Sequence, residues 1–104
     1  MGYYIEMIED ICPVCNRYDV VAKTSITYNY SIFYKETIDK EKGIRWIYGK
    51  TGKECEQKLR DAINILGTEK HPDVWKPTPG NAGMVLKKLM EWCIEHPDAV
   101  FRGD

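Results

Sequence analysis

The sequence predicts a small single α+β domain in which an N-terminal antiparallel hairpin packs against two main amphipathic helices. Apolar and polar residues alternate along the early segments, which is the period of a strand. In the later segments apolar residues recur at helical spacing. The third observation is size, because 104 residues are the length of one domain, so residues 1–104 are assigned to a single unit.

The hairpin is predicted from Tyr3–Glu9 and Asp19–Asn29, which mix branched, aromatic and polar residues in alternation. Between them lies the segment CPVCN at residues 12–16, where proline fixes one backbone angle and asparagine tolerates a left-handed one. We therefore expect a turn that carries a CPVC motif at the hairpin tip. A short helix is expected to begin near Ser31.

The segment GIRWIY at residues 43–48 is rich in large apolar side chains, and its pattern fits a short strand or a buried helical turn equally well. The first main helix then begins at Thr51, because Thr51 and Glu54 have the spacing of a capping box. Its apolar face runs to Leu66, and Gly67 follows where a helix end favours a left-handed residue.

The second main helix is predicted from about Asn81 to His96, with Thr78-Pro79 as a rival start. Pro97 stops this helix. After it, Ala99–Arg102 is expected to add a short edge strand.

The letters GKT at residues 49–51 resemble the end of a phosphate-binding P-loop. That motif needs GxxxxGK[ST], whereas here Gly43 and Gly49 are separated by five residues, all of them bulky. The P-loop interpretation is therefore rejected. A weaker anion site stays open, because Lys50 and Lys53 stand beside the first amides of a helix.

Cys12 and Cys15 are the candidate metal ligands. A CPxC turn directs two thiolates at one zinc ion, but structural zinc is usually four-coordinate. The missing ligands would come from Cys55 and Cys93 or from a second chain, and a purely structural turn without zinc is the plainer alternative. A redox role is disfavoured, since Cys15 leads into a strand and not into a helix. Zinc is the one cofactor that the sequence makes possible, and apart from zinc we expect no cofactor.

Composition and charge exclude several classes of function. The net charge of −1 gives no strong field towards nucleic acid, and no segment has the length of a membrane span. Residues 1–11 contain three acidic residues and no apolar run, so no signal peptide is expected and a cytoplasmic location with reduced cysteines is predicted. No spacing indicates a nucleophile or an acid–base pair, so we expect a protein that is not an enzyme.

The candidate ligand-binding residues are polar residues that lie among aromatic ones, because pockets combine apolar walls with a few hydrogen-bonding groups. They are Thr27, Tyr28, Asn29, Trp46, Lys50, Thr51, Trp75 and Asn81. The plainer alternative is that Asn29 or Ser31 caps the following helix.

The segments TYN at residues 27–29, GKTG at 49–52, PGNA at 79–82 and HPDAVF at 96–101 resemble a family of small, mostly uncharacterised phage and bacterial proteins. The resemblance runs from Ile26 to the C-terminus and leaves out the CPVC motif. It implies a phage setting, in which small proteins often act by binding.

We therefore predict a non-catalytic protein that binds or sequesters a nucleotide-like ligand or a host protein, with a homo-oligomer left open. The alternative is a zinc-containing adaptor that uses the CPVC tip for contacts with protein or nucleic acid.

Overall fold

A three-stranded antiparallel sheet forms one layer of the fold. The computed structural model describes residues 2–73 and 76–104, and its strands are β1 (Gly2–Glu9), β2 (Asp19–Thr27) and β3 (Val100–Gly103), in the spatial order β2-β1-β3. β1 and β2 form the predicted hairpin, while β3 pairs with the other edge of β1 and places Arg102 opposite Glu6. The predicted edge strand is thus confirmed.

Helices cover one face of this sheet and complete a single α+β domain, as predicted. They are α1 (Ser31–Thr37), α2 (Gly52–Leu66) and α3 (Pro79–Glu95), and α2 packs against α3 as the main helix pair. Two 3₁₀ helices, Tyr28–Tyr30 and Gly43–Ile47, stand before α1 and α2 respectively. No described helix has the length and apolar character that crossing a bilayer requires.

The structure decides between the local alternatives that the sequence left open. β2 ends at Thr27, before the predicted Asn29, because the Thr27 side chain accepts the Asn29 N–H and starts a 3₁₀ turn. The segment 43–48 is the helical turn and not a strand. Of the two possible starts of α3, Thr78-Pro79 is the observed one, since the Thr78 side chain accepts the Asn81 N–H at 3.2 Å.

The capping of α2 is confirmed at both ends. The Glu54 N–H donates to Thr51 Oγ1 at 3.2 Å, and the Thr51 N–H donates to Glu54 Oε1 at 3.1 Å. At the other end Gly67 has a φ of 76° and a ψ of −179°, a positive-φ conformation that glycine adopts without steric cost.

The core lies between the inner face of the sheet and the helices. Its largest fully buried side chains are Ile5, Met7, Tyr34, Ile44, Ile47, Leu59, Leu86, Leu89 and Phe101. Cys55 and Cys93 are also completely buried there, and burial raises the pKa of each thiol to about 12. They therefore behave as small core residues, as free cysteines on apolar helix faces usually do.

Candidate binding clefts and cysteine turn

Two adjoining clefts lie where the α2–α3 connection meets the start of α3. The larger, called the loop cleft, has a volume of about 480 Å³ and is lined by Leu66, Gly67, Glu69, Lys70, His71, Pro72, Thr78, Pro79 and Gly80. The smaller, called the tyrosine cleft, has a volume of about 300 Å³ and is lined by Tyr30, Lys70, Asn81, Met84, Val85 and Lys88. Lys70 lines both clefts.

The side chain of Asn81 fixes the loop that carries Lys70. Asn81 is only 4% exposed, and its Oδ1 accepts the His71 N–H at 2.9 Å. Its Nδ2 donates to the carbonyl oxygens of Asp73 and Lys76, each at 3.0 Å. Both amide hydrogens of this predicted ligand-binding residue are therefore used within the chain, and the geometry supports a positioning role for Asn81.

Two glycines of α3 allow the same connection to lie directly on the helix. A Cβ atom at Gly80 would lie 1.8 Å from the Glu69 carbonyl oxygen, and one at Gly83 would lie 1.7 Å from the Gly67 carbonyl oxygen. Such distances are far inside van der Waals contact, so no larger residue fits here without moving the loop. The wall of the loop cleft is thus backbone packed against backbone.

The tyrosine cleft combines positive charge with an aromatic and aliphatic wall, whereas the loop cleft has the acidic Glu69 beside Lys70 and His71. Lys70 and Lys88 supply ammonium groups, whereas Tyr30, Met84 and Val85 supply apolar surface. The pKa of Tyr30 is raised by burial and, secondly, by the nearby Asp73 carboxylate. This arrangement suits an anion that carries a flat apolar part.

Trp46, Lys50 and Thr51 come together elsewhere, at the start of α2. The Lys50 ammonium lies 4.2 Å from the centroid of the Trp46 ring and donates to the Trp46 carbonyl oxygen at 2.7 Å. The Lys58 ammonium lies 5.4 Å from the same centroid. Cation–π contact and local hydrogen bonding thus account for Trp46 and Lys50 without a ligand.

The first amides of α2 all have protein acceptors. Gly52 donates to the Ala99 carbonyl and Lys53 to the Pro97 carbonyl, each at 2.9 Å. The third amide, that of Glu54, donates to Thr51 within the capping box. This first turn therefore has no free amide for an anion, and the weaker anion-site interpretation of the GKT letters loses its geometric basis.

The remaining predicted residues lie at the end of β2. The Thr27 hydroxyl is occupied by the Asn29 N–H, and the Tyr28 ring meets the Tyr3 ring edge-on with centroids 4.7 Å apart. The N-cap residue of α1 is Tyr30 and Ser31 is the first helical residue, so the alternative in which Asn29 or Ser31 caps that helix is wrong. Trp75 lies outside the described residues.

The predicted ligand residues that the structure describes are therefore divided among three places, the end of β2, the start of α2 and the start of α3. Among these described residues only Asn81 lines one of the two clefts, where Lys70, Lys88, His71 and Tyr30 were not predicted. A polar helix face and a loop lysine carry no sequence signal of a site, because their meeting depends on the packing of α3.

The CPVC segment forms a turn that lowers the pKa of its first thiol, that of Cys12. The Cys12 sulfur accepts hydrogen bonds from the backbone N–H groups of Cys15 and Val14, and these, with the Cys15 thiol, lower the pKa of Cys12. Asn16 adopts a φ of 59° and donates its N–H to the Cys12 carbonyl at 2.9 Å. Cys12 is half-buried and Cys15 is exposed.

Within the described part of the chain, no three His, Cys, Asp or Glu side chains are grouped so as to hold a metal ion. Cys55 and Cys93 lie in the core and do not complete a site with Cys12 and Cys15. The alternative in which all four cysteines of one chain converge is therefore wrong.

Comparison with protein-family models, with curated proteins and with solved structures finds no match for this chain. The resemblance to small phage and bacterial proteins accordingly stays a prediction.

Proposed function

We propose that this chain is a non-catalytic, cytoplasmic binding protein whose two clefts beside α3 hold a small anionic ligand with a flat apolar part, such as a nucleotide. The observation that carries the proposal is the position of Lys70 in both clefts, on a loop that the Asn81 amide holds in place. A preformed cleft requires little ordering when a ligand binds, which favours affinity.

Size and lining support this assignment. The volumes of about 480 and 300 Å³ belong to the range of small-molecule sites, which runs from about 300 to 1,000 Å³. Lysine ammonium groups bind phosphate as point charges, and an aromatic ring packs against a flat heterocycle. We place the anionic group of the ligand near Lys70 and Lys88, and its flat part against Met84 and Val85, which are more exposed than the Tyr30 ring.

A nucleotide panel tests the proposal. Mono-, di- and cyclic nucleotides are titrated into isotopically labelled protein, and amide shifts are expected to cluster at residues 66–72 and 78–88. Lys70→Ala and Lys88→Ala should each weaken the binding that is found by about tenfold, or about 1.4 kcal/mol. Lys58→Ala, which removes a lysine beside Trp46, is the matched control and should leave the affinity unchanged.

Asn29→Ala separates this site from the one at the end of β2 that the sequence suggested. The variant should bind as the parent protein does, because Asn29 does not line either cleft. Loss of binding in Asn29→Ala together with unchanged binding in Lys70→Ala would move the site away from α3. No binding by any nucleotide, with folded protein, would contradict the proposed ligand class.

A further inference from the structure

The turn at residues 12–16 carries two cysteines at the C-x-x-C spacing from which zinc sites take half of their ligands, and Cys12 is half-buried whereas Cys15 is exposed. Two backbone hydrogen bonds close the turn. The Asn16 N–H donates to the Cys12 carbonyl oxygen, and the Cys12 N–H donates to the Arg17 carbonyl oxygen at 2.8 Å. The backbone conformation is therefore fixed before any metal arrives.

Coordination chemistry then determines what must complete the site. A structural zinc ion takes four ligands, and the tip of one hairpin offers two thiols. No described side chain of the same chain supplies a third ligand, since Cys55 and Cys93 are buried in the core. A second hairpin tip, related by a two-fold axis, provides the missing pair with the same geometry.

We propose that two copies of this protein bind one zinc ion between their hairpin tips, with Cys12 and Cys15 of each copy as the four ligands. The site is independent of the clefts beside α3, so a test of this proposal does not decide the proposed function, and a test of the proposed function does not decide this proposal. On binding, each thiol releases its proton to the buffer and its sulfur forms a bond to the metal, with no change of oxidation state.

The surroundings of the tip favour a second copy as the partner. Four apolar side chains are exposed on or near it, Ile11 at 47%, Val14 at 90%, Tyr18 at 37% and Val20 at 45%. Pairing two tips removes part of this apolar surface from water on both chains at once.

Cobalt substitution and native mass spectrometry test the proposal on the whole chain. The protein, reduced with a phosphine, is titrated with Co²⁺, whose tetrahedral thiolate complexes absorb strongly in the visible range, and Zn²⁺ is then added to displace it. We expect saturation at one metal per two chains and a dimer mass that includes one zinc ion. Chelator should return the monomer.

Single-residue variants locate the ligands. Cys12→Ser and Cys15→Ser should each abolish the absorption and the dimer, while their circular dichroism stays that of the parent. Cys93→Ala is the control for loss of a thiol, and it should keep both the metal and the dimer because Cys93 lies in the core.

The following results would contradict the proposal. One metal per chain in a monomer would overturn the sharing of the site between two copies. Absence of the thiolate absorption, or its persistence in Cys12→Ser, would overturn the site itself. A dimer that survives chelation and both serine variants would show that pairing does not depend on metal.

Discussion

Glu6 and Arg102 form an ion pair across the β1–β3 ladder, with Glu6 Oε1 2.6 Å from Arg102 Nε. The two partners differ in environment, because the Glu6 side chain is 9% exposed and that of Arg102 is 48% exposed. Arg102 also lies over the Tyr18 ring, 4.4 Å from its centroid. The guanidinium thus covers a carboxylate that would otherwise be buried without a counter-charge.

Arg102→Met should therefore destabilise the fold by about 2 kcal/mol, since an unpaired buried carboxylate remains. Urea denaturation of the parent and the variant measures the difference. The double variant Glu6→Gln/Arg102→Met is the control, and it should recover most of the loss because no buried charge is left. Equal destabilisation of the single and double variants would show that the arginine acts through packing alone.

Gly83→Ala should displace the α2–α3 connection from α3. The new methyl group would meet the Gly67 carbonyl oxygen at 1.7 Å, and we expect a loss of about 3 kcal/mol, as for other overpacked sites. Thermal denaturation measures the loss. Lys87→Ala, an exposed substitution on the same helix, is the control and should change stability little. If Gly83→Ala also left stability unchanged, the loop would be able to move away from α3 easily.

Asn81→Ala tests the positioning role of the amide. The variant leaves the His71 N–H and two carbonyl groups without their side-chain partner, so a loss of about 2 kcal/mol is expected. Amide hydrogen exchange at His71 should accelerate more than exchange in the middle of α2. Uniform acceleration throughout the protein would instead indicate only a global loss of stability.

The capping box predicts a pH effect at Glu54. Hydrogen bonds from the Thr51 backbone N–H and, secondly, from its hydroxyl lower the pKa of the Glu54 carboxyl, with a smaller contribution from the charge of Lys50. Because the folded-state pKa is the lower one, this contribution to stability is present above the unfolded pKa of about 4.3 and is lost as the pH falls through the folded value.

An NMR titration of the Glu54 side chain checks this prediction. In Thr51→Val the hydroxyl is absent but the backbone N–H remains, so the pKa of Glu54 should rise part of the way towards its ordinary value. An unchanged pKa in the variant would show that the hydroxyl does not support the carboxylate.

At Tyr48 we predict a substitution of a buried residue that costs little or no stability. Among the described residues its buried hydroxyl has no hydrogen-bond partner, so Tyr48→Phe should leave stability within about 0.5 kcal/mol of the parent, or raise it. Burial, followed by the negative charge of Asp104, raises the pKa of Tyr48 to about 12. Since the unfolded tyrosine ionises near 10, the parent should lose stability as the pH rises from about 10 towards 12.

Denaturation at neutral and alkaline pH compares the two proteins. The Phe variant should lose less stability than the parent over the alkaline interval. A marked loss in Tyr48→Phe at neutral pH would instead reveal a partner for the hydroxyl.

The fold could be predicted largely from local sequence signals. Alternation identified the hairpin, the Thr51 capping box fixed the start of α2, and Pro97 marked the end of α3. The candidate site was harder to predict from the sequence, because it depends on contacts between residues that are distant along the chain. Asn81 was selected as a polar residue in an aromatic setting, but only the folded loop shows that its hydrogen-bond donors are already used.

The hydrogen bonds from the Gly52 and Lys53 amides to the Ala99 and Pro97 carbonyls have a consequence for synthesis on the ribosome. The chain is made from the N-terminus onwards, so α2 leaves the ribosome well before the residues that hold its first turn. Until those residues follow, β1 lacks one of its two neighbours and the place of Phe101 in the core stays empty. The nascent hairpin and α2 therefore complete their packing only after the segment 97–103 has been synthesised, and cooperative closure of the domain follows that step.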